Sequence, residues 1–234
     1  MRFVVALLIA LIIPAAALAW TTQGGHTMAP NVYGIEVSGG FPDVQLAVYV
    51  PVQRHLEVAP FATFHYFGPI TKEEVRLGNS FGTRVKLNVV DRGRFQMSLL
   101  ARPSFYVSYK PDIKVGIQAS IPELVMGYDV MSRLHLHWGT RFSPTFLFTT
   151  DYRVSVHLPL LFHLGLEGRV AKNVNIFTTF EAGPIWGFGP GFDSCTPAPE
   201  QGMVQCNKLS RAPSLDAIFR AMVGFVFVFG KGLN

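Results

Sequence analysis

The run Arg153–Glu167, RVSVHLPLLFHLGLE, decides the fold. Val154, Val156, Leu158, Leu160, Phe162, Leu164 and Leu166 form an apolar row at every second position, while Arg153, Ser155, His157, His163 and Glu167 sit in the other parity. A helix repeats every 3.6 residues and would scatter such a row around its axis. Strict period two therefore means an extended strand with one apolar and one mostly polar face. At about 3.3 Å per residue the run reaches roughly 50 Å, much longer than the five or six residues usual in a soluble β-sandwich.

The same rhythm recurs on both sides of this run. Apolar parities are carried by Tyr33–Val37, Val44–Val50, Leu56–Tyr66, Phe81–Val89, Phe95–Ala101, Val115–Ile121, Leu134–Phe142, Val174–Phe180 and Phe219–Phe229. After Pro122 the row continues through Leu124, Met126 and Tyr128 in the opposite parity, as one inserted bulge residue requires. The total is about ten strands, within a range of eight to twelve, and an even number puts both chain ends on one side. Connections at Gln53-Arg54, Asp91–Gly93, Asp129–Ser132 and Val170–Lys172 are short, whereas those at Gly68–Asn79, Ser143–Asp151 and Gly187–Ser214 are long. Aromatic residues gather near strand ends, as with Tyr66, Phe105, Trp138 and Trp186. The fold class expected is all-β: an antiparallel up-and-down barrel with short turns on one side and longer outer loops on the other.

Composition agrees. Of 234 residues 49% are hydrophobic and only 15% charged, with a mean hydropathy of +0.30, which excludes a disordered chain. Two cysteines are too few for a disulfide-dense miniature fold, and no later run of about 18 apolar residues offers a membrane helix. The N-terminus reads as a signal peptide over 1–19: Arg2, the apolar Phe3–Ile13, then Ala17-Leu18-Ala19 as the cleavage site. Residues 20–234 then form a single domain. Export favours a disulfide between Cys195 and Cys206 inside the long outer loop at about 187–214. Losing Arg2 lowers the net charge from +5 to +4, a mild basic balance that fits lipopolysaccharide or anionic solutes and does not call for nucleic acid.

With the signal peptide, the strand rhythm and the short-turn openings Arg54-His55-Leu56-Glu57-Val58 and Lys172-Asn173-Val174-Asn175-Ile176, the chain resembles the small outer-membrane β-barrel proteins of the outer-membrane protein A or W type, a porin-like class. It departs from them at its end, Phe229-Gly230-Lys231-Gly232-Leu233-Asn234, which carries no terminal aromatic. The resemblance implies residence in the outer membrane of a Gram-negative bacterium, in contact with its lipid and lipopolysaccharide.

The polar parities assign a lumen and the apolar parities a lipid face. Arg84, Lys86, Arg102, Lys114, Arg133, Arg141, Arg153 and Arg220 point inward with His135, His137 and His157, against the acids Glu57, Glu167 and Glu181; Leu158, Leu160, Phe162, Leu164, Phe225, Phe227 and Phe229 point to lipid. Confined charges pair with one another, so a plugged, salt-bridged interior is expected. The four histidines including His163 are read as a hydrogen-bonded lining, with no metal and no cofactor. Ser155, His157 and Glu167 do not make a catalytic site, because Glu167 lies ten residues, roughly 33 Å, beyond His157 on the same strand. The function expected is a non-enzymatic barrel, a structural or interaction subunit whose outer loops or periplasmic turns meet envelope proteins. A narrow anion-preferring channel is the alternative, and an outer-membrane lipid hydrolase comes third.

Overall fold

A strand with one apolar and one polar face can hide neither alone. Closing a set of such strands into a ring separates the two faces and leaves no unpaired edge. A computed structural model of the chain describes residues 21–66, 77–109, 113–149, 154–188, 196–197, 204–205 and 214–230. The strands are β1 (Val32–Phe41), β2 (Asp43–Gln53), β3 (Leu56–His65), β4 (Gly78–Arg92), β5 (Phe95–Ser108), β6 (Lys114–Met131), β7 (Leu134–Phe142), β8 (Thr145–Thr149), β9 (Val154–Ala171), β10 (Val174–Phe188), β11 (Thr196–Pro197), β12 (Val204–Gln205) and β13 (Ser214–Gly230). From β1 to β7 and from β9 to β10 consecutive strands pair antiparallel, β9 pairs with both β7 and β8, and β13 pairs with both β10 and β1, which closes the ring. β7 and β8 lie end to end between β6 and β9 and count as one interrupted wall strand. The result is a closed, ten-stranded antiparallel barrel, and β11 with β12 forms a separate two-residue ladder.

The alternation sorts the side chains as the sequence implies. Phe162, Leu164, Phe225, Phe227 and Phe229 face outward and are 40 to 57% exposed, within an apolar surface that also includes Ile117, Phe180 and Val223. Leu158 and Leu160 also face outward but are half-buried, opposite Trp186 and Phe142. A continuous apolar surface of this extent is not stable in water and fits a hydrocarbon environment.

Several strand limits differ from those expected. The stretch Ser143–Asp151 is not simply a loop: after Pro144, which lacks an N–H for the ladder, the chain resumes as β8 against Lys114–Gln118. Gly187 and Phe188 remain in β10, and Ser214 opposite Gly187 already belongs to β13, so the long outer connection is shorter at both ends. Cys195, Cys206, Arg153 and the signal segment 1–19 lie outside the described residues.

On β6, Ile121 and Pro122 both face outward between inward Ser120 and inward Glu123, and the β5 register skips at this point. Everything from Glu123 to Asp129 depends on that extra residue, because a one-residue slip exchanges the two faces. Deleting Pro122 is expected to abolish the compact, heat-modifiable band on a denaturing gel, whereas Pro122→Ala retains it.

Candidate active site

The lumen is built in two halves. In the half nearest the short turns, residues 21–29 enter the barrel as a strap, a feature the parity reading does not contain. Lys86 on β4 donates to the main-chain oxygens of Thr22 (3.0 Å), Gly24 (3.1 Å) and His26 (2.6 Å), with the Thr21 oxygen at 3.5 Å. Glu167 on β9 accepts from the backbone N–H groups of Thr22 and Gln23, each at 3.0 Å, and from Asn175 at 2.7 Å. Glu57 accepts from the Met28 N–H at 2.8 Å and lies 3.6 Å from Lys86. A lysine ammonium buried at 1% exposure is tolerated only when its protons and charge are both matched, and the strap supplies most of that match.

The half nearest the long loops is filled by ion pairs. Arg102 meets Glu123 at 3.1 Å and Arg141 meets Glu181 at 2.5 Å, while Arg220 bridges Glu181 (2.9 Å) and Asp43 (2.5 Å). Arg84 lies 4.7 Å over the Tyr49 ring, whose hydroxyl donates to Glu36. Arg84, Lys86, Arg141, Glu57, Glu167 and Glu181 are buried, and Arg102 and Arg220 are half-buried in their ion pairs. Lys114 and Arg133 are half-buried near opposite ends of the barrel, and His157 is half-buried opposite Thr145.

Beyond the three acids that parity assigns, Glu36, Asp43, Glu123 and Asp129 also face the interior. Asp129 lies near the end of β6 and not in the connection, and accepts from His135 at 2.7 Å. The histidines are thus not a uniform hydrogen-bonded lining. His137 is fully buried, and neither of its ring nitrogens has a partner among the described residues. It faces a cavity of about 40 Å³ between the strap and the ion pairs, a volume for a few waters and not for a continuous pore.

At the long-loop end, three neighbouring strands bring together residues that the sequence reading did not single out. The β2–β3 register sets Asp43 opposite His65, and the β3–β4 register sets Thr63 opposite Ser80. His65 Nδ1 meets Asp43 Oδ1, and His65 Nε2 lies 3.0 Å from Ser80 Oγ. The carboxylate fixes the tautomer: Nδ1–H donates to Asp43, which leaves Nε2 to accept from the serine hydroxyl. The Tyr106 ring stands 5.4 Å from the imidazole and limits its tilt. Asp43 is buried and balanced by Arg220, Ser80 is buried, and the His65 side chain is 23% exposed. Ser–His–Asp in this order of contacts is the arrangement that activates a serine nucleophile. By contrast, Ser155 and His157 lie at one end of β9 and Glu167 at the other, in the strap's grip, so that trio is not assembled.

No family model and no curated protein sequence matches the chain. Solved outer-membrane barrels resemble it in fold. The outer membrane protease OmpT of Escherichia coli has a TM-score of 0.44 at 9% identity, covering 92% of this chain and 99% of that one. The in-vitro folded outer membrane protein OmpT of Vibrio cholerae has a TM-score of 0.32 at 12% identity, and its trimer form 0.31 at 11%. These cover 86% and 80% of this chain, which spans 62% and 56% of the Vibrio chains. The expectation of a non-enzymatic structural or interaction subunit is corrected here. One of the barrels similar to this chain is an outer membrane protease. Among the described residues the strap and the ion pairs occupy much of the lumen, which leaves little room for the channel alternative.

Replacing Lys86 with Met removes the cation from the strap's carbonyls and leaves Glu57 without its partner. A loss of about 3 to 5 kcal/mol in unfolding free energy is expected, measured by denaturant titration in detergent. Cleavage of the strap by added protease should accelerate in parallel.

Proposed function

We propose that this chain is an outer-membrane barrel hydrolase in which Ser80 is the nucleophile, His65 the general base and acid, and Asp43 the group that orients His65. The Asp43–His65–Ser80 hydrogen-bond relay carries this reading. Its location supports it: the start of β2, the end of β3 and the start of β4 all lie at the long-loop rim, where the His65 side chain is partly exposed. The outward apolar surface supports residence in a bilayer, with outer-membrane lipid and lipopolysaccharide around it. Export through the signal segment 1–19 and a Cys195–Cys206 bridge in the outer loop belong to the same proposal.

In the reaction, Ser80 Oγ adds to the carbonyl carbon of an ester or amide while its proton passes to His65 Nε2. Collapse of the tetrahedral intermediate expels the alcohol or amine, which takes that proton, and the acyl group remains on Ser80. Water then adds to the acyl carbon with His65 again receiving a proton, and the carboxylic acid leaves as Ser80 regains its hydrogen. Asp43 stays ionised throughout and stabilises the imidazolium that forms twice in the cycle, while Arg220 holds the carboxylate in place.

A fluorophosphonate probe applied to the folded barrel is expected to label Ser80, with the site identified by mass spectrometry. Hydrolysis of a p-nitrophenyl ester should fall by roughly 10⁶-fold in Ser80→Ala and by about 10⁴ in Asp43→Asn, which leaves the imidazole in the wrong tautomer. A folded barrel that takes no label and loses no activity on Ser80→Ala excludes the assignment. Separately, Phe162→Arg on the outward face should cost about 2 to 4 kcal/mol when the chain folds into lipid vesicles, because the charge meets hydrocarbon.

A further inference from the structure

We infer that the short-turn half of the lumen is a peptide receptor, and that residues 21–29 occupy it as a ligand joined to their own receptor. This goes beyond the hydrolase reading and is independent of it.

The holding contacts are made to the main chain of the strap. Lys86 reads carbonyl oxygens, Glu167 and Glu57 read N–H groups, and Asn88 and Ser98 both donate to the Gly25 oxygen, at 2.6 and 2.5 Å. Contacts of this kind need no particular side chain. Specificity enters at four positions, the first being Gln23, whose amide donates to Glu36 at 2.8 Å and to the Tyr49 hydroxyl at 3.2 Å. A Cβ on Gly25 would lie 2.9 Å from the Gln96 carbonyl carbon and oxygen, which belong to the β5 backbone and cannot turn aside. On Gly24 it would lie 2.0 Å from His135 Nε2. Three residues beyond Gly25, Met28 is fully buried against Tyr49, Phe177 and Val226. Gly34 makes room for it, since a Cβ there would stand 2.8 Å from the Met28 methyl group. The receptor therefore reads Gln-Gly-Gly-x-x-Met, which here is Gln23-Gly24-Gly25-His26-Thr27-Met28. His26 lies 3.5 Å from Asp129 with its ring 5.9 Å from that of His135, and the Thr27 hydroxyl donates to the Arg54 oxygen at 2.7 Å.

The test uses the full chain carrying Gly25→Val, whose own strap cannot seat, and a fluorescent synthetic peptide of residues 21–30, TTQGGHTMAP. Saturable anisotropy change is expected with this variant and not with the unaltered chain, whose site is already filled. A peptide bearing Val at the second glycine should bind roughly a hundredfold more weakly, and one with Ala for Met about tenfold more weakly. Absence of binding to the folded variant overturns the receptor, as does equal binding of the native and Val peptides. If the variant does not fold alone, refolding with peptide present becomes the readout. Recovery of the heat-modifiable form with the native peptide and not the Val peptide supports the receptor, and no recovery with either overturns it.

Discussion

Closing ten strands on themselves sends every second side chain into a space little wider than those side chains, with almost no water to solvate them. Each charge placed there must find its counter-charge or its hydrogen bonds within the same ring. That confinement governs the interior: Arg102 requires Glu123, Arg220 requires Asp43 and Glu181, and Lys86, whose nearest carboxylate is at 3.6 Å, requires a stretch of main chain. The strap and the ion pairs are two solutions to one problem. Where the wall supplies acids opposite its arginines, side chains suffice; around Lys86 and Glu167 the wall supplies one charge and the chain folds back to supply the rest.

The two solutions leave the ends of the barrel with different characters. The short-turn end is packed with main chain and apolar side chains around Met28, with a small cavity above it. The long-loop end is crossed by a hydrogen-bonded line from Arg220 through Asp43 and His65 to Ser80, with the imidazole partly open. Ser80 at that rim is separated from the short-turn end by the strap and the ion pairs. The packing of these groups supplies the rigid background on which a relay of three side chains can be held.

Much of this was legible in the residues. Parity alone separates Phe162 and Leu164 from His163 and Glu167, and it carries through the Pro122 bulge, so the strand set and most inward charges follow from the pattern. The interruption at Pro144 did not, because a strand of five residues after a proline resembles loop sequence until its pairing with β6 is seen. The relay was hidden for another reason. Asp43, His65 and Ser80 all belong to polar parities, but which of them are level depends on hairpin register across two turns, one spanning residues 66–77, and parity carries no register. The strap was hidden because its sequence, rich in Gly and Thr, has no period and makes its contacts through the backbone that every residue shares.

The strap also ties one wall of the barrel to the other. Its contacts with Lys86 span about sixty residues of chain, whereas those with Glu167 span 145. The difference in closure entropy is under about 1 kcal/mol, so the longer loop closes at little extra cost. Lys86 and Glu57 hold the segment from β4 and β3, and Glu167 holds it from β9 across the lumen. A stretch of main chain gripped from two sides acts as a cross-brace: neither wall can move away from the other without breaking the contacts between them.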